Sequence, residues 1–277
     1  FLYRQGTFVD EKWMEHTLSN QEILGFRGEA YNEYLNRLND ALGQTESDMF
    51  QREDALREAN KILKALSLKG YRVTDCVKAV GSPESESWAC LDEADLKMVR
   101  GYSVYLSLEA GDLVGYAQPF QQPYLELPET TYAPSFSTEQ IHMVLTEEGI
   151  QLFEWTNLGE QEDEIAENTK LLSFDEIKEE MADHLLYRAV ADGGEEAKAL
   201  GDRYRYTVTD VQLRAVNISA YEEPKAVWLV PAWVFSLKYD VTFSQQTTMK
   251  GNDIELVLNA IDGGYVMPRL DPRIIIP

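Results

Sequence analysis

The sequence predicts an α+β protein built from two tandem modules, in each of which a long helix packs on an antiparallel β-sheet. Two observations lead to this prediction. Three long segments repeat apolar residues at helical spacing, whereas most other apolar residues alternate with polar ones or form short runs, as in strands. The order of helix, strands and closing hairpin also occurs twice along the chain, which is the pattern of a duplicated module.

Helices are predicted at residues 29–42, 48–68 and 174–190, where apolar side chains recur every three or four positions. Residues 173–176 have the S-x-x-E spacing of a capping box, which marks the start of the third helix. A shorter helical turn is predicted at residues 92–99. The buried stripes should contain Leu35, Leu38 and Leu42 in the first helix, Leu56, Leu63 and Leu66 in the second, and Ile177, Met181 and Leu185 in the third.

The other apolar segments are predicted to be strands, because they are short and rich in β-branched and aromatic residues. Residues 146–149 and 261–264 combine Gly with polar residues, which is typical of the turn in a β-hairpin. The inner faces should contain Ile141, Met143 and Leu145 in the first module and Ile254, Leu256 and Leu258 in the second. The predicted strands are residues 102–108, 141–145, 150–155, 204–218, 227–235, 237–243, 254–260 and 265–267.

The domain organisation follows from this order of elements. Residues 1–46 are predicted to form an N-terminal arm with a helix, and residues 47–158 the first α+β module. Residues 159–170 are rich in Glu and form an acidic connector, after which residues 171–277 form the second module. Four prolines in residues 117–137 predict a long irregular loop within the first module.

The chain is strongly acidic. Its 277 residues include 48 Asp and Glu against 25 Lys and Arg, which gives a formal net charge of −23. Such a field repels phosphate backbones and anionic lipid headgroups, so nucleic acid and direct membrane-surface binding are not expected. The charge is compatible with cationic partners or divalent ions, although a solvated acidic surface is the commoner explanation. The longest apolar run, residues 226–235, is shorter than the roughly 20 residues that span a bilayer.

Three segments of the second module carry a resemblance to known families. They are Leu-Leu-Ser-Phe-Asp-Glu-Ile at 171–177, Leu-Val-Pro-Ala-Trp-Val-Phe at 229–235 and Ile-Glu-Leu-Val-Leu-Asn-Ala-Ile-Asp-Gly-Gly-Tyr-Val at 254–266. This part resembles YycH/YycI-like and PepSY-like modules, in which a Pro-Ala-Trp-type strand precedes a hairpin with an Asn-Ala-x-Asp/Thr-Gly turn. The whole chain also resembles secreted lipoproteins of unknown function from clostridial gut bacteria. The first module matches only by element order.

The resemblance implies a non-catalytic binding or regulatory module. Such a protein would lie outside the cytoplasm of a Gram-positive bacterium, tethered to the envelope by a lipid or membrane anchor that is missing from this chain. Its partner would be another protein, such as a sensor kinase or a protease, or the cell wall. The resemblance carries over no catalytic residue, no cofactor and no metal ligand.

The competing interpretation is a carboxylate-based hydrolase of the glycosidase type, acting on cell-wall or dietary carbohydrate. Its acid and nucleophile would be Glu147 with Glu148, or Glu154 beside Trp155. Neighbouring carboxylates are expected in a chain with 48 acids, and the tip of a hairpin is where solvated charges belong. The binding module is therefore preferred.

Histidine and turn residues offer weak metal or catalytic candidates. His16, His142 and His184 do not have the spacing of a metal-binding helix pair. His142 alternates outward and is predicted to lie on a strand surface, whereas His184 is spaced to pair with Glu180. Residues 259–264 contain Asn, Asp and Gly, but turn formation explains those residues without a calcium ion.

Two tryptophans are the candidates for a partner-facing surface. Trp228 and Trp233 are five positions apart, so a regular strand places them on opposite faces of its sheet. One should be buried, and the exposed one is the candidate for contact with a partner.

The two cysteines, Cys76 and Cys90, leave two alternatives open. In an oxidising compartment they could form a disulfide that closes a small loop. Otherwise they are two unpaired thiols in the core.

Overall fold

The computed structural model describes residues 1–15, 17, 29–44, 50–84, 98–116, 131–132, 137–160, 169–193, 204–220, 226–244, 247–250 and 254–266. The chain has an α+β fold in which helices accompany mostly antiparallel sheets. It divides into two compact units, each formed by two stretches of chain. Unit 1 consists of residues 1–109 and 139–158, and unit 2 of residues 110–138 and 159–277.

The helices and strands are numbered along the chain. The helices are α1 (Glu29–Gly43), α2 (Arg52–Ala65) and α3 (Phe174–Gly193), and residues 11–15 add a short helical turn. The strands are β1 (Leu2–Arg4), β2 (Thr7–Asp10), β3 (Tyr71–Ser82), β4 (Val99–Ala110), β5 (Leu113–Val114), β6 (Thr131–Tyr132), β7 (Gln140–Thr146), β8 (Gly149–Thr156), β9 (Tyr204–Ser219), β10 (Val227–Ser244), β11 (Thr247–Lys250), β12 (Ile254–Asn259) and β13 (Tyr265–Val266).

The sheet of unit 1 is antiparallel and has the strand order β1-β8-β7-β4-β3-β2. One of its faces packs on α2, because alternate residues of the central strands and the apolar stripe of that helix are both buried. A second cluster joins α1 to β2 and β3. The α2 cluster contains Ala55, Ala59, Leu63, Val104, Leu106, Ile141, Met143 and Leu145, and the α1 cluster contains Leu35, Leu38, Leu42, Val9 and Val80.

The sheet of unit 2 is built around β10. This strand pairs with β9 on one side and with β12 and then β11 on the other, and β13 continues the sheet beyond β12. The short strand β6 pairs with β13 and is parallel to it. Helix α3 packs on one face through a core that contains Ile177, Leu185, Phe235, Leu237, Ile254, Leu256 and Leu258, with Met181 partly buried against it.

Most predicted stripes and inner faces are confirmed, but Leu66 is not. The second helix ends at Ala65 rather than Leu68, so Leu66 lies past the last helical turn and is 52% exposed. The same helix begins at Arg52, where Gln51 and Asp54 form a capping box. The helix is therefore shorter at both ends than periodicity predicts, because the cap fixes its start after the predicted one.

The segments predicted as strands at 227–235 and 237–243 are both extended, and they belong to one strand, β10, which runs without a break from Val227 to Ser244. A register shift between Ser236 and Leu237 absorbs the irregularity that the sequence pattern shows there. Pro231 is accommodated near the end of the β12 ladder, where its carbonyl accepts a hydrogen bond from the amide of Ala260 at 2.9 Å. In an antiparallel strand, the N–H and C=O groups of one residue point to the same neighbouring strand. The Pro231 carbonyl points to the β12 side, so the N–H that proline lacks would not have bonded to β9.

Two further predictions fall mainly on residues that the structure does not describe. The helical turn at 92–99 lies outside the described residues except for its end, where Val99 already begins β4. The irregular loop at 117–137 lies outside them except for β6 and Ser137, and residues 161–168 of the acidic connector also lie outside them.

The capping box at the start of α3 gives a testable prediction. The Ser173 Oγ accepts a hydrogen bond from the Glu176 amide at 3.3 Å, and the Glu176 carboxylate accepts one from the Ser173 amide at 2.8 Å. Replacing Ser173 by alanine should lower the free energy of unfolding of unit 2 by about 1 kcal/mol, measured by urea denaturation. Glu179→Ala, an exposed change on the same helix, is the control, and equal effects of the two would contradict the capping role.

Candidate functional site

The candidate partner-facing tryptophans lie in β10 and point to opposite faces of the unit 2 sheet. Trp233 lies on the α3 side, where its ring contacts that of Phe174 and its Nε1–H donates to the Leu172 carbonyl at 3.2 Å. Trp228 is 44% exposed, as is the neighbouring Leu229. The Trp228 side chain is therefore the one that a partner could contact, and its role in binding stays a prediction.

The position of Trp228 is fixed by the β-ladder. In the register of β9 and β10, Trp228 pairs with Ile218 and Leu229 pairs with Asn217. Ile218 and Asn217 are both buried, so the backbone that carries the exposed side chains is held by the body of the sheet. An amphipathic ring on a rigid strand provides contact area at little cost in conformational entropy.

Partly buried tyrosine hydroxyls are hydrogen-bonded to carboxylates in both units. Acids outnumber bases by 48 to 25, so neutral tyrosine hydroxyls here serve as donors to carboxylates in place of lysine or arginine. Burial, and then the neighbouring carboxylate, raises the pKa of each of these tyrosines well above its ordinary value. The pairs are Tyr71 with Glu139, Tyr105 with Asp10, and Tyr116 with Glu255.

One of these pairs belongs to a larger group on the face of the unit 1 sheet that points away from α2. Four strands contribute to the group, because alternate residues of adjacent strands meet on one face, and the helical turn at residues 11–15 adds Lys12. The alternation of Ser103, Tyr105 and Ser107 with Val104 and Leu106 marks a polar face, but it does not predict that these side chains meet those of other strands. We call the group the polar-face cluster, and it contains Asp10, Lys12, Asp75, Ser103, Tyr105 and His142.

Tyr105 is the centre of the polar-face cluster. The His142 ring stacks on it with 4.3 Å between ring centroids and an angle of 3° between the planes. From the β3 side, the Lys12 Nζ lies 4.6 Å from the Tyr105 centroid and 2.6 Å from the Asp75 carboxylate. The Tyr105 hydroxyl donates to Asp10, which is itself 5% exposed. Stacking, a cation–π contact and a hydrogen bond thus hold one ring in place.

His142 lies on the outward face of the unit 1 sheet, as predicted, but it is partly buried there. The side chain does point away from the helix, but Tyr105 and the rest of the cluster cover it, and its Nε2 lies 3.2 Å from the Ser103 Oγ. Burial, assisted by Lys12 and opposed by Asp10, lowers the pKa of His142 to about 4. Ser103 is 1% exposed, so a substrate has no access to this serine–histidine pair.

Of the other two histidines, the structure describes only His184. The Nε2 of His184 lies 3.3 Å from the Gly263 carbonyl and ties α3 to the β12–β13 turn, whereas its pairing with Glu180 stays a prediction. The Glu180 side chain packs on the same Gly263, where a Cβ atom would lie 2.9 Å from the Glu180 Cγ. His16 lies outside the described residues.

The carboxylates proposed for a hydrolase lie at two places along the β7–β8 hairpin. Glu147 and Glu148 are exposed at the tip of the β7–β8 hairpin, and the Glu148 amide donates to the Thr146 Oγ1 at 3.2 Å. Glu154 lies further along β8, opposite His142, and at about 3.3 Å per residue this places it far from the tip. A glycosidase pair places its carboxyl groups about 5–10 Å apart on the two sides of a cleft, and the hydrolase stays an alternative that these positions do not test.

The turn at 259–264 is satisfied by its own hydrogen bonds. The Asn259 Oδ1 accepts from the Ile261 amide at 3.0 Å, and the Asp262 Oδ1 accepts from the Gly264 amide at 2.9 Å. These are the bonds of side-chain-stabilised turns, as the sequence predicts. Across the part of the chain that the structure describes, His, Cys, Asp and Glu side chains nowhere gather in a group of three that could hold a metal ion.

Cys76 lies on β3 beside an open cleft of about 470 Å³. Arg52 reaches the same place, where its Nε–H donates to the Cys76 carbonyl at 3.3 Å. Burial raises the pKa of the Cys76 thiol to about 11, with Arg52 opposing and Asp75 adding to the rise. Cys90 lies outside the described residues, so the disulfide between the two cysteines stays a prediction. The cleft is lined by Glu11, Gln51, Arg52, Glu53, Cys76, Lys78 and Tyr102.

The environment of Cys76 predicts a thiol with low reactivity. With Cys90 changed to serine, iodoacetamide at pH 8 should modify Cys76 in the folded protein about a hundredfold more slowly than in urea, because little thiolate forms. Mass spectrometry over time measures the two rates. Rapid labelling of the folded protein would show that the thiol is accessible and ionised.

Comparisons with known proteins assign no family. No protein-family model and no curated protein sequence matches the chain. A structural match was found to the crystal structure of an uncharacterized protein from Eubacterium rectale ATCC 33656, with a TM-score of 0.45 and 17% sequence identity. The match covers 79% of this chain and 56% of that protein, so this chain spans just over half of its length. Among the described helices, none combines the length and apolar character needed to cross a membrane.

Proposed function

We propose that the protein is a non-catalytic binding or regulatory module that acts outside the cytoplasm, anchored to the envelope of a Gram-positive bacterium. The observation that carries the proposal is the exposed Trp228, which lies beside Leu229 on a strand held by a buried ladder. Exposed aromatic side chains on a rigid scaffold are the residues that dominate binding at protein interfaces. The partner is a protein or the cell wall, and the net charge of −23 disfavours nucleic acid.

The proposal extends to a YycI-like and PepSY-like origin for the second module. Its Pro-Ala-Trp segment lies in the central strand β10, and residues 254–266 form the hairpin beside it. In those families the corresponding strands belong to binding rather than catalytic modules. The resemblance therefore supports the same class of function as Trp228 does.

We also propose that the two units descend from one duplicated module. In unit 1, α2 precedes four strands that lie side by side in the order β3-β4-β7-β8. In unit 2, α3 precedes four strands that lie in the order β9-β10-β12-β13, with β9 beside β10. The identical order of helix and strands supports a duplication, and so does the hairpin that closes each set.

Affinity capture from the envelope of the source organism tests the binding function. The immobilised protein should retain a specific envelope component, and Trp228→Ala should reduce its recovery about tenfold, the loss typical of an interface residue. Val208→Ala, an exposed apolar residue elsewhere on the same sheet, is the matched control and should leave recovery unchanged.

Two outcomes would contradict the proposed function. One is capture that is equal for wild type, Trp228→Ala and Val208→Ala, which would remove Trp228 from the binding surface. The other is protection of the chain from added protease in intact cells, which would place the protein inside the cytoplasm.

A further inference from the structure

A carboxylate on the α2 side of the unit 1 sheet has one oxygen that the protein does not use. The Glu139 Oε1 accepts hydrogen bonds from the Tyr71 hydroxyl and from the Trp155 Nε1–H, the latter at 2.6 Å. The second oxygen, Oε2, has no hydrogen-bond partner among the described residues, and it is not sealed from solvent. One oxygen is therefore held by two donors, whereas the other is open to a ligand.

The two donors are aromatic rings that border the carboxylate. The centroids of the Tyr71 and Trp155 rings lie 6.5 Å apart, and the ring planes meet at 81°. Both rings pack against the core beneath α2, and both are partly exposed, as Glu139 is. Because both hydrogen bonds end on the same oxygen, the carboxylate is oriented, and apolar ring surface lies beside it.

The charge of Glu139 is not balanced by a cation close to it. In the described part of the chain, no lysine or arginine lies within 4 Å of its carboxylate, and Arg72 pairs instead with Glu109 at 2.7 Å. Burial, and then Glu139 itself, raises the pKa of Tyr71, so this donor stays neutral. Two lysines that precede Tyr71 in the chain are exposed, which leaves their charges screened by solvent, namely Lys64 and Lys69. A partly buried carboxylate with neutral donors attracts a cation more strongly than a fully solvated one does.

The number of open oxygens selects the kind of cation. Calcium takes roughly six to eight oxygen ligands, and among the described residues no group of three acidic, histidine or cysteine side chains gathers that could hold a metal ion. A guanidinium binds a carboxylate best through both oxygens, but two donors already occupy the Glu139 Oε1. A quaternary ammonium has no N–H to donate. A primary ammonium is a compact charge that needs only one acceptor oxygen, and it fits the open Oε2.

We propose that Glu139, Tyr71 and Trp155 form a binding site for a primary alkylammonium group, as carried by a lysine side chain or by a free amine. The ammonium donates a charge-assisted hydrogen bond to the Glu139 Oε2, and its alkyl stem packs on the two rings. The site goes beyond the proposed function, because it lies in unit 1 and does not involve Trp228.

The test is an NMR titration of the full chain with butylammonium, followed at the Trp155 indole N–H and the Gln140 amide. The shifts should saturate with a dissociation constant on the order of millimolar. At the same ionic strength, 1-butanol, which has the same stem without the charge, should bind about tenfold more weakly. Butylguanidinium should also bind more weakly, because one oxygen does not match its fork.

Two conservative variants test the roles of the carboxylate and its donors. Glu139→Gln keeps an acceptor for both rings but removes the charge, so it should raise the dissociation constant at least tenfold. Glu154→Gln is the matched control, since Glu154 precedes Trp155 in β8 but lies on the opposite face, and it should bind as wild type does. Tyr71→Phe keeps the ring and the carboxylate, so it should bind at least as tightly as wild type. Unaltered urea unfolding confirms that each variant is folded.

A comparison of ligands identifies the source of the ammonium group. Lysine blocked at both its α-amino and carboxyl groups should bind more tightly than butylammonium if the site takes a lysine of a polypeptide, and equally if it takes free amines.

Four results would overturn the proposal. They are equal binding of 1-butanol, tighter binding of butylguanidinium, a dissociation constant that Glu139→Gln leaves unchanged, and loss of binding in folded Tyr71→Phe. The last two would leave Glu139 as a structural acceptor for Tyr71 and Trp155. Each of the four leaves the proposed function standing, because envelope capture tests that function at Trp228.

Discussion

Replacing Phe235 by alanine is expected to lower the free energy of unfolding of unit 2 by about 3–5 kcal/mol. Phe235 is 0% exposed and is among the largest fully buried side chains of the molecule. It lies on β10 in the core beneath α3, beside Ile177 and Leu256. Removal of the ring leaves a cavity that a sheet paired on both sides cannot close. Urea denaturation followed by circular dichroism measures the change.

Trp228→Ala is the matched control for this prediction. Trp228 belongs to the same strand and is also a large aromatic residue, but it is 44% exposed. Its removal should change the free energy of unfolding by less than about 1 kcal/mol. If the two substitutions proved equally costly, the core would not lie between α3 and β10, and Trp228 would be a structural residue.

The buried faces of the sheets could be predicted from the sequence because a strand has a period of two. Ile141 and Met143 are 0% exposed, and Leu258 is also 0% exposed, as the alternation predicts. The helix faces followed from the same reasoning at a period of 3.6, and Ile177 and Leu185 lie in the core of unit 2. Periodicity reports which side of an element is apolar, and that side is the one that packs.

Element ends and continuity could not be predicted in this way. Leu66 continues the apolar stripe of α2 in the sequence, but the helix has already ended. The segments predicted at 227–235 and 237–243 form one strand, because pairing with β9 continues through Ser236. Strands β1 and β2 are three and four residues long, too short for any period to appear, and only pairing with β8 and β3 makes them strands. Tertiary hydrogen bonds decide these features.

The polar-face cluster could not be predicted from periodicity either, for a different reason. The alternation of polar and apolar residues correctly predicts that His142 lies on the face away from the helix. It also predicts that this face is open to solvent. The same side is partly covered by other polar side chains, and Asp10 and Tyr105 meet there although they are 95 positions apart in the chain. A polar residue on an outward strand position is surface only if nothing packs on that face, which a single sequence does not reveal.

Acidification should destabilise unit 1 through His142. The folded pKa is about 4, below the value of 6.5 for an unburied histidine. The unfolded chain therefore takes up the proton first, so the contribution of His142 to stability is fully present above pH 6.5 and is lost as the pH falls towards 4. The loss is on the order of 3 kcal/mol. Urea denaturation between pH 7.5 and pH 4 measures it.

His142→Gln isolates this effect from the titration of the many carboxylates. Glutamine cannot stack on Tyr105 as an imidazole does, so the variant should be less stable than wild type at pH 7.5, by about 1 kcal/mol. Because glutamine does not titrate, the stability difference between the two proteins should shift in favour of the variant by on the order of 3 kcal/mol as the pH falls to 4. Leu66→Ala, an exposed change, should keep a constant difference from wild type. Parallel stability curves for wild type and His142→Gln would show that His142 titrates as it does in the unfolded chain, and that Tyr105 and Lys12 do not shield it.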